Sequence, residues 1–154
     1  MRRTLRRKDR ELNIADAKKL LEKCEYGFLA TADNSGQAYV APLHYAYKNN
    51  NIYFHCALDG HKLDNIKENN KVSFCVVGST KVLPDKFATE YESVVVFGMA
   101  SEVSGNEKYE ALLSLLEKYS PGFIKKGKDY IAKDGEKTKV IKIDINFITG
   151  KAKR

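Results

Sequence analysis

The sequence of 154 residues has no tryptophan, only three prolines and no long apolar segment. A transmembrane helix needs about 20 consecutive apolar residues, so the absence of such a run predicts no membrane-spanning helix. The basic N-terminal segment MRRTLRRKDRELN is not followed by an apolar stretch, and we therefore expect no secretory signal and a cytoplasmic protein. No linker rich in proline, glycine or serine divides the chain, which favours a single domain over residues 1–154.

The cysteines and the common catalytic motifs are equally sparse. Cys24, Cys56 and Cys75 are odd in number and lack the spacing of zinc ligands, so they indicate reduced thiols and no metal site. The sequence contains neither the G-x-S-x-G motif of many hydrolases nor the dinucleotide fingerprint G-x-G-x-x-G. Function must therefore be inferred from less common patterns.

Positive charge is plentiful and is concentrated at the two chain ends, giving a formal net charge of +7. Arginine and lysine crowd the first ten residues, and Lys151, Lys153 and Arg154 close the chain. We interpret residues 1–12 as a mobile, solvated basic arm. The same charges would also attract nucleic acid or a phosphorylated small molecule.

Alternating apolar residues predict six strands, at 26–32, 37–47, 52–57, 71–77, 92–103 and 139–148. Short turns such as DNSG at 33–36 and KNNN at 48–51 join consecutive strands, and hairpin order favours antiparallel pairing. Six antiparallel strands with few helices tend to close into a small barrel, because closure removes exposed edges. We therefore predict a mainly β fold, a six-stranded antiparallel β-barrel.

Helical patterns are fewer, and they predict helices at 17–24, 61–69 and 106–119. Residues 78–90 are predicted as a loop, and residues 122–138 are polar and lack a clear pattern. Pro42 marks an irregular place within strand 37–47, because proline cannot donate a hydrogen bond to a neighbouring strand.

The segment NIYFHCALDGHKLDNIK, residues 51–67, places His55 at the end of a predicted strand. His61 and Lys62 follow at the start of a predicted helix. A helix N-terminus presents free backbone N–H groups with partial positive charge, and a lysine beside them suits a phosphate group. A solvent-exposed helix start without a ligand is the alternative.

Three stretches resemble, in order, the flavin-binding split-barrel proteins: EYGFLATADNSGQAYVAPLHYAY, NIYFHCALDGHKLDNIKENNKVSFCVV and YESVVVFGMASEV. The most similar group is the Nim-like, or 5-nitroimidazole-resistance, branch of the pyridoxamine 5′-phosphate oxidase-like superfamily. The resemblance extends from about Arg7 to Lys151. It implies a six-stranded antiparallel split β-barrel of the FMN-binding type, and a homodimer with the cofactor at the interface.

The resemblance also implies a set of cofactor-contacting residues, namely Pro42, Leu43, His44, Phe54, His55, His61, Lys62 and Ser93. Within this set, His61 and Lys62 would hold the FMN phosphate. Ser93 would contact the flavin ring, often from the partner subunit. His55 is the candidate catalytic residue, because a near-neutral pKa suits delivery of a proton to a substrate. Positioning of the ribityl chain is its alternative role.

The resemblance implies an FMN-dependent oxidoreductase that reduces a small molecule, with nitroimidazole compounds as candidate substrates. Oxidation of vitamin B6 is not expected, because the C-terminal tryptophan and arginine pattern of the oxidase proper is missing. One alternative is a flavin- or haem-binding module without turnover, a sensor or carrier, with a histidine as the iron ligand of the haem. FAD is the alternative to FMN as the flavin. The least favoured alternative is a nucleic-acid-binding barrel, which needs aromatic side chains on a basic sheet face.

Overall fold

A computed structural model of the chain describes residues 2–154, and Met1, the first residue of the predicted basic arm, lies outside the described residues. The strands are β1 (Glu11–Leu12), β2 (Gly27–Ala32), β3 (Ala38–Leu43), β4 (Ala46–Lys48), β5 (Asn51–Cys56), β6 (Lys71–Leu83), β7 (Ala88–Val103) and β8 (Lys139–Lys153). The α-helices are α1 (Ile14–Lys23), α2 (His61–Glu68), α3 (Gly105–Tyr119) and α4 (Ile124–Asp134). Within residues 2–154, no helix is both long and apolar enough to cross a membrane.

All strand pairs are antiparallel and belong to one sheet, in the order β3-β2-β6-β7-β8-β5-β4, with β1 added to β8. The strands at the two ends of this order, β3 and β4, follow one another in the chain and are joined only by His44 and Tyr45. The curved sheet is a split β-barrel, and the predicted fold class is confirmed. Residues 2–154 form eight strands, however, rather than the predicted six.

The predicted strand 37–47 is divided at Tyr45 because helix α3 takes over its backbone hydrogen bonds. The N–H of Tyr45 donates to the hydroxyl of Tyr119 at 3.0 Å, and its carbonyl accepts from the ammonium of Lys118 at 3.0 Å. The backbone groups of Tyr45 therefore have hydrogen-bond partners without a neighbouring strand, and strand pairing can end at this residue. Strand β1 was not predicted, because two residues are too few for a periodic pattern.

The predicted loop 78–90 is instead the end of a long β6–β7 hairpin. The pairing slips between Val77 and Thr80, which interrupts the alternation that a sequence pattern would show. The turn contains Phe87 with a positive φ of 49°, and its side chain is fully exposed. By contrast, the turn KNNN was predicted correctly, and two of its residues, Asn49 and Asn50, adopt the left-handed conformation of tight hairpins.

The interior of the barrel holds the main hydrophobic core. Tyr45, Phe54 and Phe74 are its largest completely buried side chains, and α1 packs against them through Leu21. Burial of each large apolar side chain stabilises the fold by about 1.5–3 kcal/mol. Helix α4, in the segment 122–138 that lacked a clear pattern, contributes no buried residue.

Part of the basic arm lies against β8. Glu11 pairs with Lys151 in the sheet, and the guanidinium of Arg2 donates to the carbonyl of Asn146 at 3.3 Å. The sheet therefore holds the last residues of the arm, whereas the mobility of the arm as a whole stays a prediction.

Candidate functional site

A cavity of about 680 Å³ lies between the barrel and helices α3 and α4. Its floor carries His44, which follows β3, and His55, near the end of β5. His55 projects out of the barrel because its neighbour Phe54 points into the core, and successive strand residues face opposite sides. The walls are mostly apolar and include Leu112, Leu115, Leu116, Phe123, Tyr130 and Ile131.

The end of α3 fixes the loop that carries His44. The imidazole of His44 stacks on the ring of Tyr119, with 4.2 Å between centroids and 14° between planes. The Tyr119 hydroxyl donates to the carbonyl of Glu25 at 2.6 Å. The ammonium of Lys118 donates to the carbonyl of Cys24 at 2.8 Å and lies 3.8 Å from the centroid of the Tyr45 ring. These contacts hold the His44 side of the cavity in place.

Burial near the cavity lowers the pKa values of two side chains, His55 and Lys118. The cavity walls remove part of the water around His55, which lowers its pKa, and the nearby His44 lowers that pKa further. His55 is therefore mainly neutral at pH 7, with one nitrogen to donate and one to accept a hydrogen bond. Burial lowers the pKa of Lys118 to about 8.

The start of α2 forms a second polar region. Gly60 precedes the helix with a φ of 154°, which favours glycine, and gives no side-chain cap to the first N–H groups. Apart from Gly60 and its two chain neighbours, no described residue has an atom within 4 Å of the position that a Cβ would take at Gly60. His61 stacks on Tyr39 with 4.2 Å between centroids and 7° between planes. Burial raises the pKa of the Cys56 thiol, and the positive charge of Lys62 opposes this rise. Only residues 57–60 separate the end of β5 from the start of α2.

Helix α2 is anchored to the barrel by one polar contact and one apolar contact. Asn65 is buried, with an exposed fraction of 3%, and its side-chain amide donates to the Thr31 hydroxyl at 3.0 Å. Ile66 packs in the main core. The position of the helix start, and therefore of His61 and Lys62, is set by these buried contacts.

The structure distributes the predicted site residues over three places. His44 and His55 meet at the cavity, whereas Pro42 and Leu43, which precede His44 on β3, do not line it. The side chain of Phe54 is completely buried in the core, so only its main chain could face a ligand. The remaining predicted residues, His61, Lys62 and Ser93, do not line this cavity. Contact of each residue with a cofactor stays a prediction.

Ser93 lies on the outer face of the sheet, where it pairs with Val77 and Lys151. This face exposes large apolar side chains on several strands: Val40 at 59%, Val77 at 49%, Met99 at 41% and Phe97 at 38%. An apolar surface of this kind is typical of an interaction site.

Sequence reasoning did not find Tyr39, Lys118 or Tyr119, which shape the site around the predicted histidines. Lys118 and Tyr119 end the clearest predicted helix, and nothing in their spacing shows that they reach Tyr45 across the fold. Sequence reasoning also missed the α4 side chains of the cavity wall, because few apolar residues stand among the lysines and glycines of that segment.

Comparisons with known proteins bear on this fold and site. A search of curated proteins finds no match. Among solved structures, a conserved hypothetical protein from Mycobacterium tuberculosis has a TM-score of 0.81 at 20% identity, covering 97% of this chain and 90% of that chain. An FAD- and haem-binding protein from Mycobacterium smegmatis has a TM-score of 0.77 at 15% identity, covering 92% of this chain and 72% of that chain.

A candidate 5-nitroimidazole antibiotic resistance protein from Bacteroides thetaiotaomicron has a TM-score of 0.74 at 20% identity, covering 92% of this chain and 86% of that chain. At these identities the likeness shows a shared fold. The family model described as pyridoxamine 5′-phosphate oxidase matches residues 14–152, nearly the whole chain. The superfamily predicted from the sequence is thereby confirmed, and the chain belongs to the pyridoxamine 5′-phosphate oxidase family.

Proposed function

We propose that the protein binds FMN and uses it as an oxidoreductase that reduces a small molecule. We also propose that it works as a homodimer with the cofactor at the interface. The observation that carries this proposal is the start of α2, where an uncapped helix N-terminus, His61 and Lys62 converge beside the end of β5.

The start of α2 has the chemistry of a phosphate anchor. The first N–H groups of the helix have no side-chain cap, and they attract an anion through their partial positive charge. The ammonium of Lys62 adds a full charge. The stacked pair of His61 and Tyr39 adds a flat surface at the same place. A single anchor of this kind favours FMN over FAD, which carries a second phosphate.

The outer sheet face supports the dimer. It exposes apolar side chains around Ser93, and a second copy of the chain would cover them in a symmetric contact. Ser93 would then face a cofactor bound mainly by the partner. Residues of the second copy would also lie beside the phosphate anchor at the start of α2.

The cavity beside the two histidines supports binding of a substrate. FMN supplies the redox chemistry when it is bound. His55 can donate a proton to the reduced product, and the apolar walls exclude water around an uncharged ring compound. These properties fit a nitroimidazole-type substrate, the kind that the Nim-like branch is associated with.

A flavin- or haem-binding module without turnover is the second candidate. Two imidazoles, those of His44 and His55, lie in one apolar cavity, and either could be an axial ligand of haem. One of the similar structures is an FAD- and haem-binding protein. The absorbance of the purified protein separates the candidates, since flavin gives a yellow spectrum and haem gives a Soret band.

The decisive experiment compares Lys62→Ala with a matched control, Lys67→Ala, on the exposed end of the same helix. We expect Lys62→Ala to weaken FMN binding by about tenfold or more, because a charge-assisted hydrogen bond contributes about 1.5–3 kcal/mol. Riboflavin, which lacks the phosphate, should bind both variants equally. Equal FMN affinity of the two variants would refute the phosphate anchor.

A second variant, His55→Ala, tests the catalytic role. Retained FMN with lost turnover, measured with a reduced nicotinamide donor and a nitroimidazole acceptor, supports proton delivery by His55. Normal turnover excludes that role.

A further inference from the structure

A separate cluster of cations surrounds Tyr91 at the end of β8 opposite the cavity. The guanidinium of Arg10 donates to the Tyr91 hydroxyl at 3.4 Å. The ammonium of Lys151 lies 5.6 Å from the centroid of the Tyr91 ring. The strand register places Lys153 directly opposite Tyr91. Cations from the basic arm and from the C-terminal strand therefore meet at one phenol.

These side chains share the outer face of the sheet. Residues opposite each other on antiparallel strands project to the same side, as do residues two apart on one strand. Tyr91, Lys151 and Lys153 therefore lie on one side, and Thr80 joins them because it pairs with Tyr91. A cavity of about 400 Å³ beside these side chains is lined by Tyr91, Thr80 and Lys153 and also by Glu90 and Glu92, whereas Arg10 and Lys151 lie outside it.

The carboxylates nearest to this cluster have other partners. Three carboxylates form salt bridges with other residues: Asp9 with Arg7, Glu11 with Lys8, and Glu92 with Arg154. Glu90 precedes Tyr91 on β7 and projects to the opposite side. Within residues 2–154, no carboxylate lies within 4.0 Å of the side-chain nitrogens of Arg10, Lys151 or Lys153.

The cluster therefore holds several like charges without a counter-charge. Arg10, Lys151 and Lys153 are each partly buried, and like charges held together in such surroundings repel one another. The hydrogen bond from Arg10 and the charge of Lys151 lower the pKa of Tyr91, which shows that negative charge is favoured at this place. A bound anion would supply the missing negative charge.

We propose that Arg10, Lys151 and Lys153, with the hydroxyls of Tyr91 and Thr80, form a binding site for a phosphate group. Two nitrogen-bearing side chains reach the phenol from different chain segments, and both can donate to phosphate oxygens. The site lies apart from the start of α2 and goes beyond the proposed function. The single phosphate of FMN is assigned to the start of α2, so the phosphate bound here belongs to a separate small molecule.

The test is a titration of the purified protein with inorganic phosphate at constant ionic strength, followed by calorimetry. Arg10→Gln and Lys151→Gln are compared with Lys19→Gln, which removes the same charge from an exposed position on α1. We expect the first two variants to lose about tenfold in phosphate affinity, because each loses a charge-assisted hydrogen bond. Absence of phosphate binding by the native protein, or an equal loss in Lys19→Gln, would overturn the proposal.

A spectroscopic measurement on the native protein tests the site even if the variants fold poorly. Phosphate should raise the pKa of Tyr91 in the intact protein, because it adds negative charge beside the phenol. The change is seen as the difference in phenolate absorbance between the native protein and Tyr91→Phe. An unchanged titration of Tyr91 at saturating phosphate would overturn the proposal.

Competition identifies the source of the phosphate. Flavin-loaded protein should bind inorganic phosphate with unchanged affinity, because the FMN phosphate lies at the start of α2. Displacement of inorganic phosphate by FMN but not by riboflavin would show that the cluster holds the flavin phosphate, and would overturn a separate site. Failure of the FMN anchor is measured independently with Lys62→Ala.

Discussion

The barrel interior and the α3–α4 cover lie on two sides of the same cavity, yet they are built differently. The interior contains completely buried side chains such as Phe54, Phe74 and Val96, packed in one cluster. The cover contributes two buried residues from α3, Ala111 and Leu115, and none from α4. The histidines thus stand on a rigid floor beneath a lightly packed wall. Such a wall can adapt to a ligand without disturbing the fold.

The boundary between these regions combines a small apolar cluster, in which Ala111 of α3 packs with Tyr53, Val103 and Val140, with polar contacts at the end of α3. Lys118 and Tyr119 reach from α3 to the carbonyl groups of Cys24, Glu25 and Tyr45. These bonds join the end of α3 to the break between β3 and β4. The position of His44 therefore depends on a few directional contacts.

The largest expected effect is in the barrel. Phe54→Ala should lower the free energy of unfolding by about 3–5 kcal/mol, because it leaves a cavity in a fully packed core. Urea unfolding followed by circular dichroism measures this value. A loss below about 1 kcal/mol would show that the interior is no better packed than the cover.

The boundary should give an intermediate effect. Lys118→Met should lower the free energy of unfolding by about 1–3 kcal/mol, because the carbonyls of Cys24 and Tyr45 each lose a hydrogen bond from the ammonium while the aliphatic stem is kept. The matched control is Lys108→Met, near the start of the same helix. Equal stability of the two variants in urea would show that the boundary contacts are dispensable.

Lys118 also predicts a dependence of stability on pH. Its pKa is about 8 in the folded protein and about 10.4 in an unfolded chain. Between these values the unfolded state binds more protons, so the Lys118 contribution makes the folded state more stable as pH rises. Unfolding of the native protein and of Lys118→Met at several pH values should differ in this window, and parallel curves would contradict the buried position of the ammonium.

On the floor of the cavity, His44→Ala should raise the pKa of His55, because a neighbouring group that disfavours the charged imidazole is removed. If protonated His55 is the active form, turnover falls as pH rises through that pKa, and the variant keeps its activity to higher pH. The pH profile of turnover measures the shift, with Tyr130→Phe as a control. Superimposable profiles would contradict the coupling of the two histidines.

The smallest effect is expected in α4. Tyr130→Ala should change the free energy of unfolding by no more than about 0.5 kcal/mol, because the side chain is 69% exposed. Its effect on binding of an apolar ligand in the cavity should be larger, since Tyr130 lines that cavity. A large loss of stability would show that α4 belongs to the core after all.

Strong periodic patterns allowed the sequence to predict most of the barrel. The predicted strand 52–57 is shifted by one residue from β5, and the predicted strand 92–103 lies inside β7, where buried and outward residues alternate. Helix α2 was predicted with His61 as its first residue, and the structure has it there. The segment of α4 was missed although Ile124 and Ile131 share one face of the helix, because glycines and many lysines give the segment a polar composition.

The sequence alone determined the β-rich class, the antiparallel hairpins and the family, because these follow from local alternation, turns and contiguous motifs. Only the tertiary structure decided that His44 meets His55, that Lys118 interrupts a strand, and that Arg10 meets Lys151 at Tyr91. The physical reason is separation along the chain. Contacts between distant residues depend on how strands pair and helices pack, and no local pattern encodes the side chains that this packing brings together.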